Sequence, residues 1–549
     1  MVLEVIRSVF KGKEVTIMKK IFGIAALLLV LAACDKNDNV IAVQEEPQSE
    51  NIQKGIPFSA TISTATTKAL ADAGSTLTAT WAVGEKVALI HNSVSDEMEI
   101  ASVSGGVATI TGTITGSPAD NDPVTIIYPS SAADCTTGNV KADLLQSGQL
   151  GTLDDISANY DVRVGTGNLE VSGTASLKSN VSLTNQFAIF KFTAKNSDGS
   201  VTINVKPLTI TIGAQNYVIT PAAATSELYV ALPAISGEAV SFKAESSGKF
   251  YACSKPSVSF DAGNYYQTTL KMSTTGALTG RFTINAGNDK VYFSQGNLQA
   301  TTADLGANWS WAFAANQWDC VGNAASNTSI DGNGTVSANG TVDLFGWVGA
   351  SNTTWSGAAM YGISNSTTTN STDTYGNVTD EALKSDWGNT IGSGWRTLTT
   401  DEWYYLFKLR ASGSTVNGTS DARYTFATIN TDGTPVKGII LFPNDVTIDN
   451  SEATSWQVIN GGSDNWGTKC TSAQWTTLEA KGCVFLPTAG AYRVGTTVEG
   501  TTAEGAYWSS SVYGTQMARR VHFSSTDMTA DNVAFRHYGQ SVRLVKDVQ

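Results

Sequence analysis

Apolar residues recur at nearly every second position through much of the first half of the chain. The pattern is clearest in FAIFKFTAKN (187–196), VTINVKPLTITIG (201–213) and ELYVALPAI (227–235). A period of two is typical of strands with one buried face. No convincing helical stretch interrupts these segments, so we expect residues 55–272 to fold as antiparallel β-sandwiches.

The second half of the chain adds helical spacing. In TLTTDEWYYLFKLR, Thr399 and Glu402 stand in the relation of a capping box, in which each satisfies a backbone N–H of the other. Trp403, Leu406 and Phe407 then form one apolar stripe. This predicts a short helix that starts after Thr399.

A second short helix is predicted in CTSAQWTTLEAKGC, where Thr471 and Gln474 repeat the capping box and Gly482 fits the position just past the helix end. Strand-like segments, VKGIILFP and GCVFLPTAG, follow the two helices. The fold class is therefore expected to be mainly β with an α+β C-terminal part over 281–549. The small-residue stretch STTGALTG (273–280) is predicted to be a flexible linker between the two parts.

Composition agrees with this division. A chain of 549 residues should form two or three domains. Charged residues make up only 15%, and 51 glycines accompany 12 prolines, a mixture that favours short strands and polar turns. The net charge of −13 argues against a nucleic-acid partner, which would need a basic face.

The N-terminal segment MKKIFGIAALLLVLAACDKNDN, which starts at Met18, has the parts of an export signal: two lysines, an apolar run and small residues before Cys34. The run is shorter than the ~20 residues of a spanning helix, although a short membrane anchor is the alternative. The segment resembles a bacterial lipoprotein signal, which implies cleavage before Cys34 and diacylation of its thiol. We expect residues 1–33 to be the signal peptide, with Met18 as the better start.

The acidic, polar stretch 34–54 is predicted to be a flexible tether. It resembles the surface-export signal of lipoproteins in Gram-negative bacteria. This resemblance implies an outer-membrane, lipid-anchored protein exposed at the cell surface, with a periplasm-facing anchor as the alternative.

The remaining cysteines are scattered and include no CxxC motif, so neither a disulfide framework nor a zinc site of that kind is expected. Cys470 and Cys483 could pair, but isolated buried thiols are the favoured interpretation.

The segments IPFSATI, TKAL and TWAVGEKVALI near the start of 55–272, and FDAGNYYQTTLKM at its end, resemble the fimbrillin-like family. The resemblance implies two β-sandwich subdomains. It also suggests other pilus subunits as partners, because members that are pilus subunits join when a sheet edge accepts a strand from a neighbour. Whether this chain polymerises stays open. Lone His91 is interpreted as a strand-end residue rather than a ligand.

Twelve of the thirteen tryptophans lie in the second half. There the blocks VYFSQGNLQ, DLFGWVG, WRTLTTDEWYYLF, GCVFLPTAGAYR, GAYWSSS and GQSVRLV resemble the major-paralogous-domain proteins, which have a C-type-lectin-like fold. The segment between YWSSS and SVR resembles the ligand-binding face of the variable proteins made by diversity-generating retroelements. By this resemblance, the residues between are displayed, and the scaffold consists of Tyr507, Trp508, Gly539, Ser541, Val542 and Arg543.

Strand alternation in MARRVHFSS would turn Val521 and Phe523 inward and Arg520 and His522 outward, with Arg519 near a bulge. Arginine and tyrosine are favoured at binding hot spots. An alternative is that these are ordinary solvated strand faces, and Arg536 and Arg543 are more simply explained as buried ties between loops. The candidate ligand-binding residues are Tyr513, Gln516, Arg519, Arg520, His522, Asn532, Phe535 and His537.

Catalytic signatures are weak. Ser510, His522 and Asp527 could be imagined as a triad, but no nucleophile elbow surrounds Ser510. Formylglycine-generating enzymes share the lectin-like fold, but no matching cysteine motif is present. Glycosidase carboxylates stay open because their separation is invisible in sequence.

No cofactor is expected. A calcium site is an open question: SIDGNGTVSANGTVD offers oxygens of Asp331, Asn333 and Asp343, but departs from the EF-hand loop, and a glycine-rich turn explains it equally well.

The sequence therefore predicts a non-enzymatic, lipid-anchored adhesin with a lectin-like head on a fimbrillin-like stalk, which binds a glycan or protein on host or bacterial surfaces. A pilus tip or accessory subunit assembled by strand exchange is one alternative. A surface glycan-processing enzyme is the other.

Overall fold

The computed structural model describes residues 55–549 except 65–70, 73, 75–76, 79–80, 147, 329–335, 337, 348–386, 393, 432–433, 450–458, 462–465, 467–468, 491, 495–496, 515–516 and 537. These residues form a mainly β structure with a few short helices. Within them, no helix has the length and apolar character needed to cross a membrane. Cys34 and the tether lie outside the described residues.

The strands of the N-terminal region (55–272) and the one that leaves it are β1 (Ile56–Thr64), β2 (Ala71–Asp72), β3 (Leu77–Thr78), β4 (Lys86–His91), β5 (Val94–Ser104), β6 (Val107–Ile114), β7 (Pro123–Tyr128), β8 (Ala133–Asp134), β9 (Asn139–Val140), β10 (Arg163–Val171), β11 (Ala175–Leu177), β12 (Val181–Asn185), β13 (Phe187–Asn196), β14 (Leu208–Ile212), β15 (Gln215–Ile219), β16 (Glu227–Pro233), β17 (Ile235–Ser246), β18 (Lys249–Phe260) and β19 (Tyr265–Thr283).

The strands of the C-terminal region (281–549) are β20 (Lys290–Ser294), β21 (Leu298–Thr302), β22 (Ser310–Phe313), β23 (Gly340–Val342), β24 (Trp395–Arg396), β25 (Thr415–Val416), β26 (Thr419–Ser420), β27 (Tyr424–Thr431), β28 (Thr434–Leu441), β29 (Thr447–Ile448), β30 (Lys469–Thr471), β31 (Val484–Pro487), β32 (Tyr492–Val494), β33 (Thr497–Glu499), β34 (Gly505–Tyr513), β35 (Met517–Phe523), β36 (Met528–Phe535) and β37 (Val545–Asp547). The helices are α1 (Leu153–Asp155), α2 (Ala325–Thr328), α3 (Thr400–Tyr404) and α4 (Ser472–Ala480), with single 3₁₀ or π turns at Ser130–Ala132, Leu144–Gln146, Ile156–Tyr160, Trp387–Thr390 and Tyr405–Leu409.

The first sheet closes on itself. Its strand order is β11-β1-β12-β10-β7-β4-β5-β6, and β1 also pairs with β6 over eight residues, from Ile56↔Ile114 to Ser63↔Val107. Alternate residues of these strands fill one core, which includes the fully buried Ile62, Leu89 and Ile126. Closure leaves this sheet with few free edges.

The second sheet system forms two layers around another core. One layer has the order β15-β14-β17-β18, and the other consists of β16, β13 and the first half of β19, which pairs with β13 in parallel. The alternation seen in 187–196 is confirmed as β13, whose Phe190 and Phe192 lie in this core. His91 ends β4, as expected, and its Nε2 lies 2.8 Å from the carbonyl oxygen of Thr115.

The prediction of a flexible linker over residues 273–280 is wrong. These residues lie inside β19, which runs without interruption from Tyr265 to Thr283 and pairs with β18 and then β20. Gly276, Ala277 and Gly280 are buried, so the small residues of the later part of this stretch serve close packing rather than flexibility. A Cβ on Gly280 would lie 2.0 Å from the carbonyl oxygen of Gly482. The sheet continues through β20 and β37 to β24 in the C-terminal region.

Both capping boxes of the C-terminal region are confirmed. The side chains of Thr399 and Thr471 each accept from the backbone N–H three residues on. In turn, the side chains of Glu402 and Gln474 accept from the backbone N–H of the two threonines. Gly482 has a φ of 83°, which fits the left-handed position after a helix. The expectation of an α+β C-terminal part therefore holds.

The cysteines of the described residues are all free, and Cys470 and Cys483 are buried, so they do not pair. Both belong to an apolar core beside Trp475 and Phe485. This confirms the favoured interpretation of isolated buried thiols.

Candidate binding surface on the C-terminal sheet

Strands β34, β35 and β36 form a three-stranded antiparallel sheet near the end of the chain. The outer strand β34 is buried from Gly505 to Val512 because two cores cover its two faces. Tyr507 enters one core with Val521 and Phe523, and Trp508 enters the other with Ala518.

The strand register divides the candidate residues between the two faces of this sheet. Tyr513 pairs with Met517, which pairs with Phe535, and Arg519 pairs with Val533, so these five side chains share one face. We call them the aromatic patch. It lies on the same face as Val521 and Phe523, beyond the end of the core that covers them.

Within the aromatic patch, the Arg519 guanidinium lies 4.3 Å from the centre of the Tyr513 ring. Its Nη1 donates to the carbonyl oxygen of Asp531 at 2.8 Å, and Ser509 Oγ donates to the carbonyl oxygen of Arg519 at 2.9 Å. Tyr513 is 47% exposed. The Asp531 carbonyl therefore holds the cation over a ring that faces solvent, and the Ser509 hydroxyl fixes the backbone of Arg519.

The other face carries the polar patch, which consists of Glu504, Arg520, His522 and Asn532. Arg520 Nε donates to Asn532 Oδ1 at 2.9 Å, and His522 Nε2 lies 2.9 Å from Glu504 Oε2. Burial lowers the pKa of His522, and the hydrogen bond to Glu504 opposes this only in part. These side chains are half-buried, and they form hydrogen bonds with one another.

The expected burial of Val521 and Phe523 and the partial exposure of Arg520 and His522 are what the structure shows. Arg519 lies on the opposite face from Arg520, so the candidate residues occupy both faces of the sheet. The irregularity expected near Arg519 lies across from it, in β34 between Trp508 and Val512. Gln516 and His537 lie outside the described residues.

Arg536 and Arg543 are fully buried, as the interpretation of them as ties between loops predicted. Arg543 Nη2 donates to Gln317 Oε1 at 2.8 Å, and the Arg536 guanidinium lies 5.8 Å from the ring of Trp347. Trp347 Nε1 in turn donates to the carbonyl oxygen of Ser509 at 2.8 Å.

Sequence reasoning missed Gln317 and Trp347 as supports of the sheet. Trp347 stands in the block DLFGWVG, where the adjacent aromatic residues could have indicated a buried anchor.

The imagined catalytic triad is not formed. His522 pairs with Ala506 in the register, four residues along β34 from Ser510, which is about 13 Å at the rise of a strand. Asp331 and Asn333, named for calcium, lie outside the described residues, whereas Asp343 is buried and accepts from Asn327 and from the backbone of Val321. No cluster of three or more His, Cys, Asp or Glu that could hold a metal occurs among the residues that the structure describes.

No protein-family model matches the chain, and no curated protein matches its sequence. Among solved structures, it is similar to a fimbrial assembly protein of Parabacteroides distasonis, at 12% identity over 44% of this chain and 96% of that one, with a TM-score of 0.24. It is also similar to a tip fimbrial protein of Porphyromonas gingivalis (13% identity, 39% and 94% covered, TM-score 0.23). A fimbrial protein of Bacteroides ovatus matches at 11% identity over 90% and 100%, with a TM-score of 0.22. TM-scores this low do not establish a shared fold, so what supports a function is the chain's own residues.

Proposed function

We propose that the protein is a cell-surface adhesin that binds a glycan or protein partner through the aromatic patch. The observation that carries this proposal is the exposed Tyr513 ring with the Arg519 guanidinium fixed 4.3 Å above it. Tyrosine and arginine offer large contact area and directed hydrogen bonds at little further loss of side-chain entropy when they are already held. Met517, Val533 and Phe535 extend the patch with apolar area.

The scaffold under the patch supports recognition rather than catalysis. Trp508 donates through Nε1 to the carbonyl oxygen of Phe345 at 2.7 Å, and Trp347, Arg536 and Arg543 are fully buried behind the same sheet. A rigid base with polar and aromatic side chains displayed beyond it is how a C-type-lectin-like head of the variable-protein kind would work. The lectin-like fold and the variability of this segment are part of the proposal.

The proposal includes lipid attachment at Cys34, which would place the chain on the outer membrane. The acidic stretch after Cys34 would then serve as a tether that projects the head from the cell. Incorporation of a labelled fatty acid into the protein, and its loss in Cys34→Ser, tests this part.

The binding site is tested with the double variant Tyr513→Ala/Arg519→Ala. A glycan and cell-surface protein array probed with the wild-type protein identifies a binder, and the variant should then bind about tenfold more weakly or worse, as expected for paired hot-spot residues. The matched control is Arg520→Ala/Asn532→Ala, which also removes one arginine and one hydrogen-bonded partner, but from the opposite face.

The control should keep its binding, and both variants should keep the melting temperature within a few degrees. If the control variant loses binding and the aromatic-patch variant retains it, the polar patch is the site and the assignment is overturned.

A second candidate function, pilus subunit joined by strand exchange, is favoured by a groove in the second sheet system. Beyond Ala252, β18 pairs with β17 but no longer with β19, because the first half of β19 pairs with β13 instead. The facing edges of β18 and β19 are therefore open there among the described residues. The gap is a groove of about 420 Å³ lined by Phe190, Phe260 and Val258 among other apolar residues. An added strand could bond to both open edges and place its side chains in the groove.

Strand exchange predicts an oligomer ladder on gels after mild heating of envelope fractions. Val258→Asp, which puts a charge in the groove, should remove the ladder, whereas Lys243→Asp on an exposed position of β17 should not. Monomer alone from the wild-type cells would contradict this candidate.

A further inference from the structure

The sheet that connects the two regions carries a row of four side chains unrelated to the aromatic patch. Arg281 of β19 pairs with Tyr292 of β20, Tyr292 with Lys546 of β37, and Lys546 with Trp395 of β24. Directly paired residues share a face, so the row alternates cation and ring across four strands. Arg281 Nε donates to the Tyr292 hydroxyl at 3.2 Å, and Lys546 Nζ lies 5.9 Å from the Trp395 ring. We call this row the cationic strip.

Two more rings flank the cationic strip. Phe250 meets Tyr292 edge-on at 5.1 Å between ring centres, and Phe313 meets Trp395 at 4.7 Å. Gly276 lets Phe313 approach, because a Cβ there would lie 2.8 Å from its ring. Arg281 and Lys546 are exposed, and Tyr292, Phe250 and Phe313 are half-buried. Solvent therefore reaches both charges and the edges of three rings.

The two faces of this sheet differ in how their cations are balanced. On the opposite face, Arg396 contacts Glu402 at 2.9 Å and Asp547 at 2.8 Å, so its charge is met by two carboxylates. On the strip, Arg281 and Lys546 form no ion pair with any carboxylate of the described residues.

Arg281 has an electrostatic influence on one acid, Glu245, whose pKa is raised by burial while the charge of Arg281 opposes that rise. In a chain of net charge −13, a row of exposed cations without acidic partners is a feature that needs a reason.

The spacing of the strip points to its ligand. Neighbouring strands lie about 4.8 Å apart, which puts Arg281 and Lys546 roughly 10 Å from each other with the Tyr292 ring between them. An acidic polysaccharide presents charged groups two sugars apart at a comparable interval, about one disaccharide, whether every sugar or every second sugar is acidic. The C–H face of the intervening sugar can lie against an aromatic ring, and the cations can bond to carboxylates or sulfates.

We propose that the cationic strip binds an acidic polysaccharide, one that carries uronate or sulfate groups. This site is independent of the aromatic patch, so its failure leaves the adhesin proposal untouched.

The test uses the whole protein with polygalacturonate and chondroitin sulfate as acidic probes, and dextran and polyphosphate as comparisons. Wild-type protein should bind the acidic polysaccharides at ~50 mM salt, weaken as salt rises, and leave dextran unbound. Arg281→Gln/Lys546→Gln should lower that affinity at least about tenfold, since it removes both charged contacts. Lys243→Gln/Lys255→Gln, which removes two exposed lysines elsewhere in the same sheet, should change it less than about twofold.

Tyr292→Leu, which leaves every charge in place, separates a saccharide site from a general anion site. It should weaken polygalacturonate binding several-fold and leave polyphosphate binding unchanged. The proposal is overturned if neither acidic polysaccharide binds, if the two double variants lose affinity equally, or if Tyr292→Leu has no effect on saccharide binding.

Discussion

The two regions of the molecule bury arginine in different ways. In the N-terminal region, Arg163 donates through Nε to Asp161 Oδ1 at 2.9 Å, and both side chains are almost fully buried. In the C-terminal region, Arg543 donates to the neutral amide oxygens of Gln317 at 2.8 Å and Asn297 at 3.4 Å. One region balances a buried charge with a charge, and the other surrounds it with dipoles.

The difference follows from how each region is built. Long strands in the N-terminal region satisfy their own backbone groups, so a single ion pair suffices where strands meet. The C-terminal region joins short strands through loops whose carbonyls and amides need donors, and arginine supplies five. Arg410, for example, donates to the carbonyl oxygen of Phe442 and to Asn444. Burial lowers the pKa of Arg410 to about 9 and that of Arg543 to about 10, so both stay charged at neutral pH.

The largest effect is expected where a charge would lose its counter-charge. Among the described residues, Arg163→Met leaves Asn185 as the one side-chain donor to the buried carboxylate of Asp161, and it should lower the free energy of unfolding by about 3–5 kcal/mol. Urea unfolding followed by far-UV circular dichroism measures this loss.

Adding Asp161→Asn to Arg163→Met removes the stranded charge and should recover a good part of the stability. No recovery in the double variant would mean that the cost is packing rather than charge.

A smaller effect is expected in the C-terminal region. Arg543→Met removes a donor from two neutral amide oxygens, those of Gln317 and Asn297, and Gln317 Oε1 still accepts from the backbone N–H of Phe485. The free energy of unfolding should therefore fall by about 2 kcal/mol. Tryptophan fluorescence reports this unfolding selectively, because twelve of the thirteen tryptophans lie in this half of the chain. A loss equal to that of Arg163→Met would remove the distinction between the two kinds of buried arginine.

The contact between the two regions can be tested through a glycine. Gly280→Ala places a Cβ 2.0 Å from the carbonyl oxygen of Gly482, and the forced shift should cost about 1–3 kcal/mol. Gly287→Ala, where the Cβ would meet only the end of the Asn285 side chain, is the control. If β19 acted as a hinge between independent regions, Gly280→Ala would be as harmless as the control.

The sequence predicted those features that depend on a few neighbouring residues. The strand at 187–196, both capping boxes and the buried thiols of Cys470 and Cys483 all follow from local pattern. The parallel pairing of β13 with β19 and the closure of β1 on β6 do not, because they join segments far apart in sequence.

The candidate site was predicted in part for the same reason. Alternation correctly turned Val521 inward and separates Arg519 from Arg520, but which residues of β34 and β36 join each of them depends on the pairing of three strands. The linker was mispredicted because small residues favour flexibility when exposed and close packing when buried, and only the fold decides which applies.

The smallest expected effect concerns His522, whose Nε2 lies 2.9 Å from Glu504 Oε2 while burial disfavours its charged form. Burial holds its pKa below the ordinary value of 6.5, while Glu504 and Asp527 favour the charged ring and Arg520 disfavours it. A group whose pKa is lower in the folded state binds fewer protons there than in the unfolded state at acidic pH, so stability falls as the pH drops below 6.5. His522→Gln cannot titrate, and its unfolding free energy should therefore fall less than that of the wild type between neutral pH and the acidic side of 6.5. Equal falls in the two proteins would place the titration elsewhere, and a steeper fall in His522→Gln would show that the protonated ring stabilises the sheet through Glu504.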